Sequence, residues 1–210
     1  MNYKFDGSKV FFTSDTHFYH GNIIRFCNRP FEDVEMMNET IISNWNNTVG
    51  LDDTVFHLGD FCLGGSAEWT KILDRLNGKI YLILGNHDDV LYGKSKGFKE
   101  LTEAFGEIGR IGMTDITDGE TIMTVFLCHF QWREDFDLPA VDGMASNWAK
   151  PELRRYAIPQ VGESMRLLHG HTHADTPHEF RNRNEINVGL EAWNMRPVSE
   201  AELVRMFQEN

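Results

Sequence analysis

Asp15 and His17 stand two residues apart just after the apolar run Val10, Phe11 and Phe12. That spacing turns both side chains to one side of an extended backbone. His171 and His173 repeat the device after Leu167 and Leu168. Gly59 and Asp60 close the run Val55, Phe56, His57 and Leu58, while Gly85, Asn86, His87 and Asp88 follow Ile80 to Leu84. His129 follows Val125, Phe126, Leu127 and Cys128. Each cluster alone has an ordinary reading: a chance triplet, a surface histidine pair, a turn or helix cap, a hydrogen-bonded core imidazole. Five of them at strand ends are harder to explain by packing, because carboxylate, imidazole and amide groups are costly to desolvate. Gathered at the carboxyl edge of a sheet, where α/β folds place their ligands, they would make a metal site.

The elements that must position these clusters follow from periodicity. Asp33 is a plausible N-cap for a helix carrying Val34, Met37, Ile41, Ile42 and Trp45 on one face. Ser66 precedes a second helix with Trp69, Ile72, Leu73 and Leu76, stopped by Gly78, and Phe98, Leu101 and Phe105 suggest a shorter third one. Strands alternating with helices are the signature of parallel βαβ units. The second half is richer in strands, with extended segments expected over 122–130, 166–168 and 185–188. Ser199 and Glu202 form a capping box that opens a last helix running through Phe207. Between these, 131–164 has weak periodicity and reads as a loop-rich insert able to cap a substrate. The expected fold class is α/β, one domain over 1–210, with helices covering a sheet or two stacked sheets.

Composition narrows the function. The 210 residues are 41% hydrophobic and 25% charged, an ordinary globular profile. No apolar run approaches the ~20 residues that span a bilayer. Residues 1–7 lack the basic start and apolar core of a signal peptide, so a cytoplasmic location is expected. Cys27, Cys62 and Cys128 show no paired spacing and read as reduced thiols. The net charge of −12 argues against a broad grip on nucleic acid, which needs a basic footprint. Two bound divalent cations would still make one cleft locally positive.

Read together and in order, the five clusters resemble the calcineurin-like metallophosphoesterase superfamily, and the strings 14–22 and 56–60 look like its small, single-domain prokaryotic or phage-type branch. The resemblance implies a layered fold of two stacked mixed β-sheets flanked by helices, with the metal site at the carboxyl ends of strands. It implies that Asp15, His17 and His173 hold one metal, that Asn86, His129 and His171 hold a second, and that Asp60 bridges them. An oxygen and nitrogen ligand set without Cys suits Mn²⁺ first, with Fe, Ni²⁺ or Zn²⁺ as alternatives. The activity implied is hydrolysis of a phosphate ester by a metal-activated water, diesters favoured over monoesters, with His87 assisting the leaving group. In one respect the chain departs from the family. The protein phosphatase branch carries an acidic residue three positions after the bridging Asp, and here that position is Leu63. A phosphoprotein substrate is therefore not expected, and Asp88 is the nearest candidate in sequence to orient His87.

Weaker signals complete the expectation. His20, Asn22, Arg25 and Arg29 could meet the substrate phosphate. Trp132, Arg133, Trp148, Arg154 and Tyr156 offer rings and cations for stacking on a base. His57 and His169 read as core or supporting histidines, and the stretch Asn187 to Gly189 as a border of the cleft. The partner expected is a small phosphate ester such as a nucleotide, rather than a membrane or an extended nucleic acid, with oligomeric state open. Alternatives are a nuclease acting on DNA or RNA ends and a non-catalytic metal-binding scaffold of the same fold.

Overall fold

A computed structural model of the chain describes residues 8–88, 103–134, 151–178 and 184–209. Nine strands are found among them. Five form one sheet: β1 (Val10–Thr13), β2 (Thr54–His57), β3 (Lys79–Ile83), β4 (Ile108–Gly109) and β9 (Val198–Ser199). The order is β4-β3-β2-β1-β9, all parallel except β9. The other four form a second sheet in sequence order: β5 (Ile111–Thr117), β6 (Ile122–Cys128), β7 (Leu167–His169) and β8 (Glu185–Asn187). Here β5 and β6 are antiparallel, whereas β6, β7 and β8 run parallel.

The two sheets stack because each strand alternates its apolar side chains. Val10, Phe12, Phe56, Tyr81 and Ile83 from the first sheet meet Ile116, Val125, Leu127, Leu168 and Ile186 from the second. The intervening residues Phe11, Val55, Ile80 and Leu82 turn the other way, against helices α1 (Gly21–Phe26), α2 (Val34–Thr48) and α3 (Ser66–Leu73). Helix α4 (Glu200–Gln208) adds Leu203, Val204 and Phe207 to the core between the sheets. Outside the second sheet, Cys128, Phe130 and Leu167 pack with Trp132 and Ala157. Among the described residues no helix is long and apolar enough to cross a membrane.

Local signals act where the sequence places them, with small shifts. Asp33 caps α2 by accepting from Met36 N at 2.8 Å, and Ser199 and Glu202 form the capping box of α4. Ser66, expected to precede α3, is its first residue and Gly65 its N-cap, and the helix ends at Leu73, three residues short of Leu76. Gly78 supplies a left-handed turn (φ 86°) into β3. Of the third helix only 103–104 is described; Phe98 and Leu101 lie outside the described residues.

His57 shows how a polar group is satisfied inside this core. Thr16 Oγ1 donates to Phe61 O at 2.7 Å, so it accepts from His57 Nε2 at 3.0 Å, while His57 Nδ1 accepts from Gly59 N at 3.2 Å. Burial holds this neutral imidazole down at about 3. Below pH ~6.5 the unfolded chain binds a proton that the folded chain refuses. Stability should therefore fall as pH drops from about 6.5 toward 3, at up to about 1.4 kcal/mol per pH unit from this group. Asp88, raised to about 6 by burial and by Asp60, acts in the opposite sense and offsets part of it. Denaturant midpoints measured between about pH 7 and pH 5 should slope less for His57→Gln than for the wild type. Parallel slopes would remove His57 from the account.

Candidate metal centre

The register of the sheets brings the five clusters to one edge. Thr13, His57 and Leu82 are level across β1, β2 and β3, so the residues that follow, Asp15, Asp60 and Asn86, leave the sheet side by side. Leu127 is level with Leu168, and Gly170 N donates to His129 O at 3.0 Å, which sets His129 beside His171. The loops after β1 and β2 continue to pair beyond the sheet, Asp15 N with Gly59 O, His17 N with Asp60 O, and Phe18 N with Phe61 O. Across the two sheets, His171 N donates to Asp15 Oδ2 at 2.9 Å.

Backbone strain collects at this edge. Asp15, His17, Asp60, His171 and His173 all have positive φ, between 49° and 71°. Non-glycine residues reach that region at a cost of about 1–3 kcal/mol each and keep it where the surroundings enforce it. Two glycines permit the close approaches. A Cβ at Gly85 would collide with the Asp60 carboxylate, and one at Gly170 with Ser14 Oγ and Asp15 Oδ2. This explains why the motif residues Asn86 and His171 each follow a glycine.

The side chains form two groups that meet at Asp60. His17 Nε2 lies 3.9 Å from Asp15 Oδ1 and 3.5 Å from Asp60 Oδ2, and His173 Nε2 lies 3.8 Å from Asp15 Oδ1. On the other side, His129 Nε2 lies 3.5 Å from Asp60 Oδ2 and 3.1 Å from Asn86 Oδ1, and the His171 ring is 5.1 Å from that of His129. Most of these separations are too long for good hydrogen bonds. They approach the roughly 3–3.5 Å between two atoms that each sit about 2.1 Å from one cation. Asp15, His17 and His173 converge as one potential ligand set, and Asp15, Asp60 and His129 as another.

Two orphaned atoms test whether a cation fits. Asp15 Oδ1 and His17 Nε2 are buried with no hydrogen-bond partner among the described residues, which is costly unless something else occupies them. Divalent cations would satisfy both. The charges are consistent with such a site. Burial raises the Asp15 carboxyl and drives His17 well below its ordinary value. Burial also opposes ionisation of Asp60, yet the imidazoles of His129, His17 and His87 outweigh it and hold this carboxyl well below the usual range.

Supporting contacts orient the ligands. His129 Nδ1 bonds Leu58 O at 2.7 Å, which leaves Nε2 facing Asp60. His173 Nδ1 bonds Glu191 Oε1 at 3.0 Å, and Arg29 Nε donates to the same oxygen at 2.9 Å. Arg29 also donates to the carbonyls of Asp15 and Thr16, so one guanidinium fixes the first cluster's backbone and the support of its histidine. A carboxylate behind a ligand histidine typically changes metal affinity 10–100-fold. Glu191→Gln keeps an acceptor for Nδ1 but loses the charge, and Mn²⁺ affinity at the first position should fall by roughly that factor. Competition against a fluorescent chelator measures it; an unchanged constant would leave Glu191 as a partner of Arg29 alone.

Several expected roles require correction. Arg29 is buried and spends its donors on Glu191, Asp15 and Thr16, so it does not face a substrate. Arg25 donates to Asn22 Oδ1 on an exposed turn of α1, and neither residue lines the cavity at the centre. Asp88 does not orient His87. It accepts from Gly85 N, Asp60 N and Phe61 N at 2.7–2.9 Å and so locks the loop after β3 to the loop after β2. Trp132 is fully buried, and Tyr156 stacks on Phe130 with Arg155 over its ring. Arg133 donates to Ala157 O, and Trp148 lies outside the described residues. Arg154 lies in the 3₁₀ turn Pro151–Tyr156. Asn187, expected to border the cleft, is buried and donates to Ala174 O, holding the segment after His173.

His87 is placed differently from the ligands. Its backbone N donates to Asp60 Oδ1 at 2.8 Å, while its ring is exposed and makes no hydrogen bond among the described residues. Together with His17, His20, Asp60, Asn86, His171 and His173 it lines a cavity of about 280 Å³ whose other walls are Ile23, Phe26, Leu63 and Leu153. His20 lies close to both, with Nδ1 3.3 Å from His17 Nδ1 and its ring 6.4 Å from that of His87. Glu191 carried no motif that would have marked it; only its place two residues after Gly189 hinted at the cleft.

The sequence profile of the calcineurin-like phosphoesterase family matches residues 8–175. An uncharacterized protein of Methanocaldococcus jannaschii is 32% identical over 207 residues, covering 96% of this chain and 92% of the relative. The gene 66 protein of Mycobacterium phage L5 is 28% identical over 207 residues, covering 93% and 92%. Among solved structures, a protein of unknown function from Aquifex aeolicus shares the fold, with a TM-score of 0.58, 24% identity, and coverage of 95% of this chain and 100% of that one.

Proposed function

Because the chain belongs to the calcineurin-like phosphoesterase family, we propose that it hydrolyses small phosphodiesters, nucleotide esters foremost, at a dinuclear centre. The observation that carries this reading is Asp60 Oδ2, 3.5 Å from both His17 Nε2 and His129 Nε2, where a carboxylate oxygen faces both ligand groups at once. Two divalent cations held there, with Mn²⁺ the first choice for these donors, would supply an activated water and neutralise phosphate charge.

The protein's own residues set the rest. His87, exposed in the cavity beside Asp60, is placed to give a proton to the departing oxygen. Ile23, Phe26, Leu63 and Leu153 offer an apolar seat for the esterified group, and Leu153 brings the 3₁₀ turn Pro151–Tyr156, within the 131–164 stretch, to the cleft. Among the described residues the cavity lining contains no Lys or Arg. That favours the single charge of a diester over the second charge of a monoester, and a short substrate over a polyanion.

A substrate panel on Mn²⁺-reconstituted protein tests the reading: cyclic nucleotides, dinucleotides, single-stranded DNA, RNA, phosphomonoesters and a bis-aryl phosphate. Hydrolysis of small diesters should exceed that of monoesters, vanish with chelator and return with Mn²⁺. Preference for monoesters, or activity that survives full chelation, would overturn it. A nuclease would instead lose affinity steeply as salt rises.

A further inference from the structure

The two nitrogens of the His173 ring face different ways. Nε2 looks to Asp15 and the centre, whereas Nδ1 looks to Glu191, beside a second cavity of about 510 Å³. Cys27, His173 and Glu191 all line that cavity, and one donor atom from each, a thiol sulfur, an imidazole nitrogen and a carboxylate oxygen, lie within 4.8 Å of one another. From this geometry we propose that Cys27, His173 and Glu191 form an inhibitory site for a soft divalent cation such as Zn²⁺ or Cd²⁺, sharing only His173 with the ligands of the metal centre.

Three features support it. Glu191 is buried among its neighbours, with its side chain 5% exposed, and its Oε2 has no hydrogen-bond partner among the described residues although Oε1 takes donors from Arg29 and His173. Cys27 is the accessible thiol. Cys62 and Cys128 are buried, and burial pushes their thiols up to about 12 and about 11. The cavity gives solvent a route to the triad apart from the catalytic cleft, with Asp175 as a further carboxylate on its wall.

The chemistry separates the two sites by metal. The centre offers only oxygen and nitrogen donors, which suit Mn²⁺, while a thiolate selects softer ions. Loading the triad releases the Cys27 thiol proton to solvent, and the His173 ring proton moves from Nδ1 to Nε2 as Nδ1 takes the cation. Three protein donors and one water then complete four positions, the usual number for Zn²⁺. His173 loses its hydrogen bond to Glu191 and with it the tautomer that presents Nε2 to the first cluster. Occupation should therefore inhibit.

The site itself stands apart from the phosphodiesterase reading; only the inhibition rests on it. Cd²⁺ titrated into the full chain, with Mn²⁺ saturating, should raise an ultraviolet thiolate-to-cadmium band equivalent to one thiolate, absent from Cys27→Ser. In parallel, Zn²⁺ should inhibit bis-aryl phosphate hydrolysis by the Mn²⁺ enzyme, with an inhibition constant roughly tenfold or more weaker in Cys27→Ser. The Mn²⁺ activity of that variant should match the wild type. No cadmium band in the wild type, or the same band and the same inhibition in Cys27→Ser, would overturn the site. A chain that hydrolyses nothing yet shows the Cys27-dependent band keeps the site and sinks the phosphodiesterase.

Discussion

Asp60→Asn is expected to retain at most one of two bound cations and to turn over substrate roughly a thousandfold more slowly. The substitution is well suited to the question because it leaves the local framework in place. The backbone of Asp60 sits at φ 56°, held by Asp88 accepting from its N–H, and Asn tolerates that region well. An amide oxygen can still accept from His87 N, the bond now made by Oδ1 at 2.8 Å. What changes is the atom 3.5 Å from both His17 and His129. It loses its share of a full negative charge at the one point where both ligand groups converge. Metal content by mass spectrometry and the rise in Tm with added Mn²⁺ report the loss apart from activity, since a ligand bound only to the folded state stabilises by RT ln(1 + [L]/Kd). Two cations per chain with turnover within about tenfold of wild type would show that Asp60 is not shared.

The sequence carried the site better than its supports, for a physical reason. Ligands at strand ends must be charged or polar where the pattern calls for apolar residues, so Asp15, Asp60 and His129 interrupt a visible rhythm. Arg29 and Glu191 interrupt nothing. Arg29 sits in a turn between Asn28 and Pro30 and Glu191 in the short 3₁₀ turn Leu190–Trp193, where a lone charge reads as surface. Only the packing of 29 against 191 turns them into a buried pair. Asp88 misled for the same reason. Adjacency to His87 suggested a partnership, yet a tight turn sends the Asp88 carboxylate back to the N–H groups of Gly85, Asp60 and Phe61. Strand β5 was hidden by a mismatch between residue type and burial. Its apolar Ile111 is 55% exposed while Thr114 is fully buried, so the buried face does not read as apolar. The βαβ half was legible because helices α2 and α3 and strands β1 to β3 show burial in step with their apolar letters.

His87→Asn should keep both cations and still lower turnover at least about a hundredfold on a substrate with a poor leaving group. The first half follows from how the residue is held. Position 87 reaches Asp60 through its backbone N, which any residue but proline supplies, while the ring stands exposed in the cavity. Removing the ring should therefore disturb neither the centre nor the fold. The second half follows from where the ring points its chemistry. With Leu63 in place of an acidic residue and Asp88 committed to backbone, the His87 ring has no carboxylate to fix its orientation among the described residues. The rings of His17 at 5.6 Å and His20 at 6.4 Å are what flank it. A histidine that donates a proton to the leaving oxygen matters most when that oxygen is a poor leaving group. The defect should thus be large for an alkyl ester and shrink toward unity for a nitrophenyl ester, whose leaving group needs no proton. A histidine that only stabilised charge on the phosphate would produce the same defect for both. Turnover near wild type on the alkyl ester, with two cations bound, would remove His87 from the chemistry altogether.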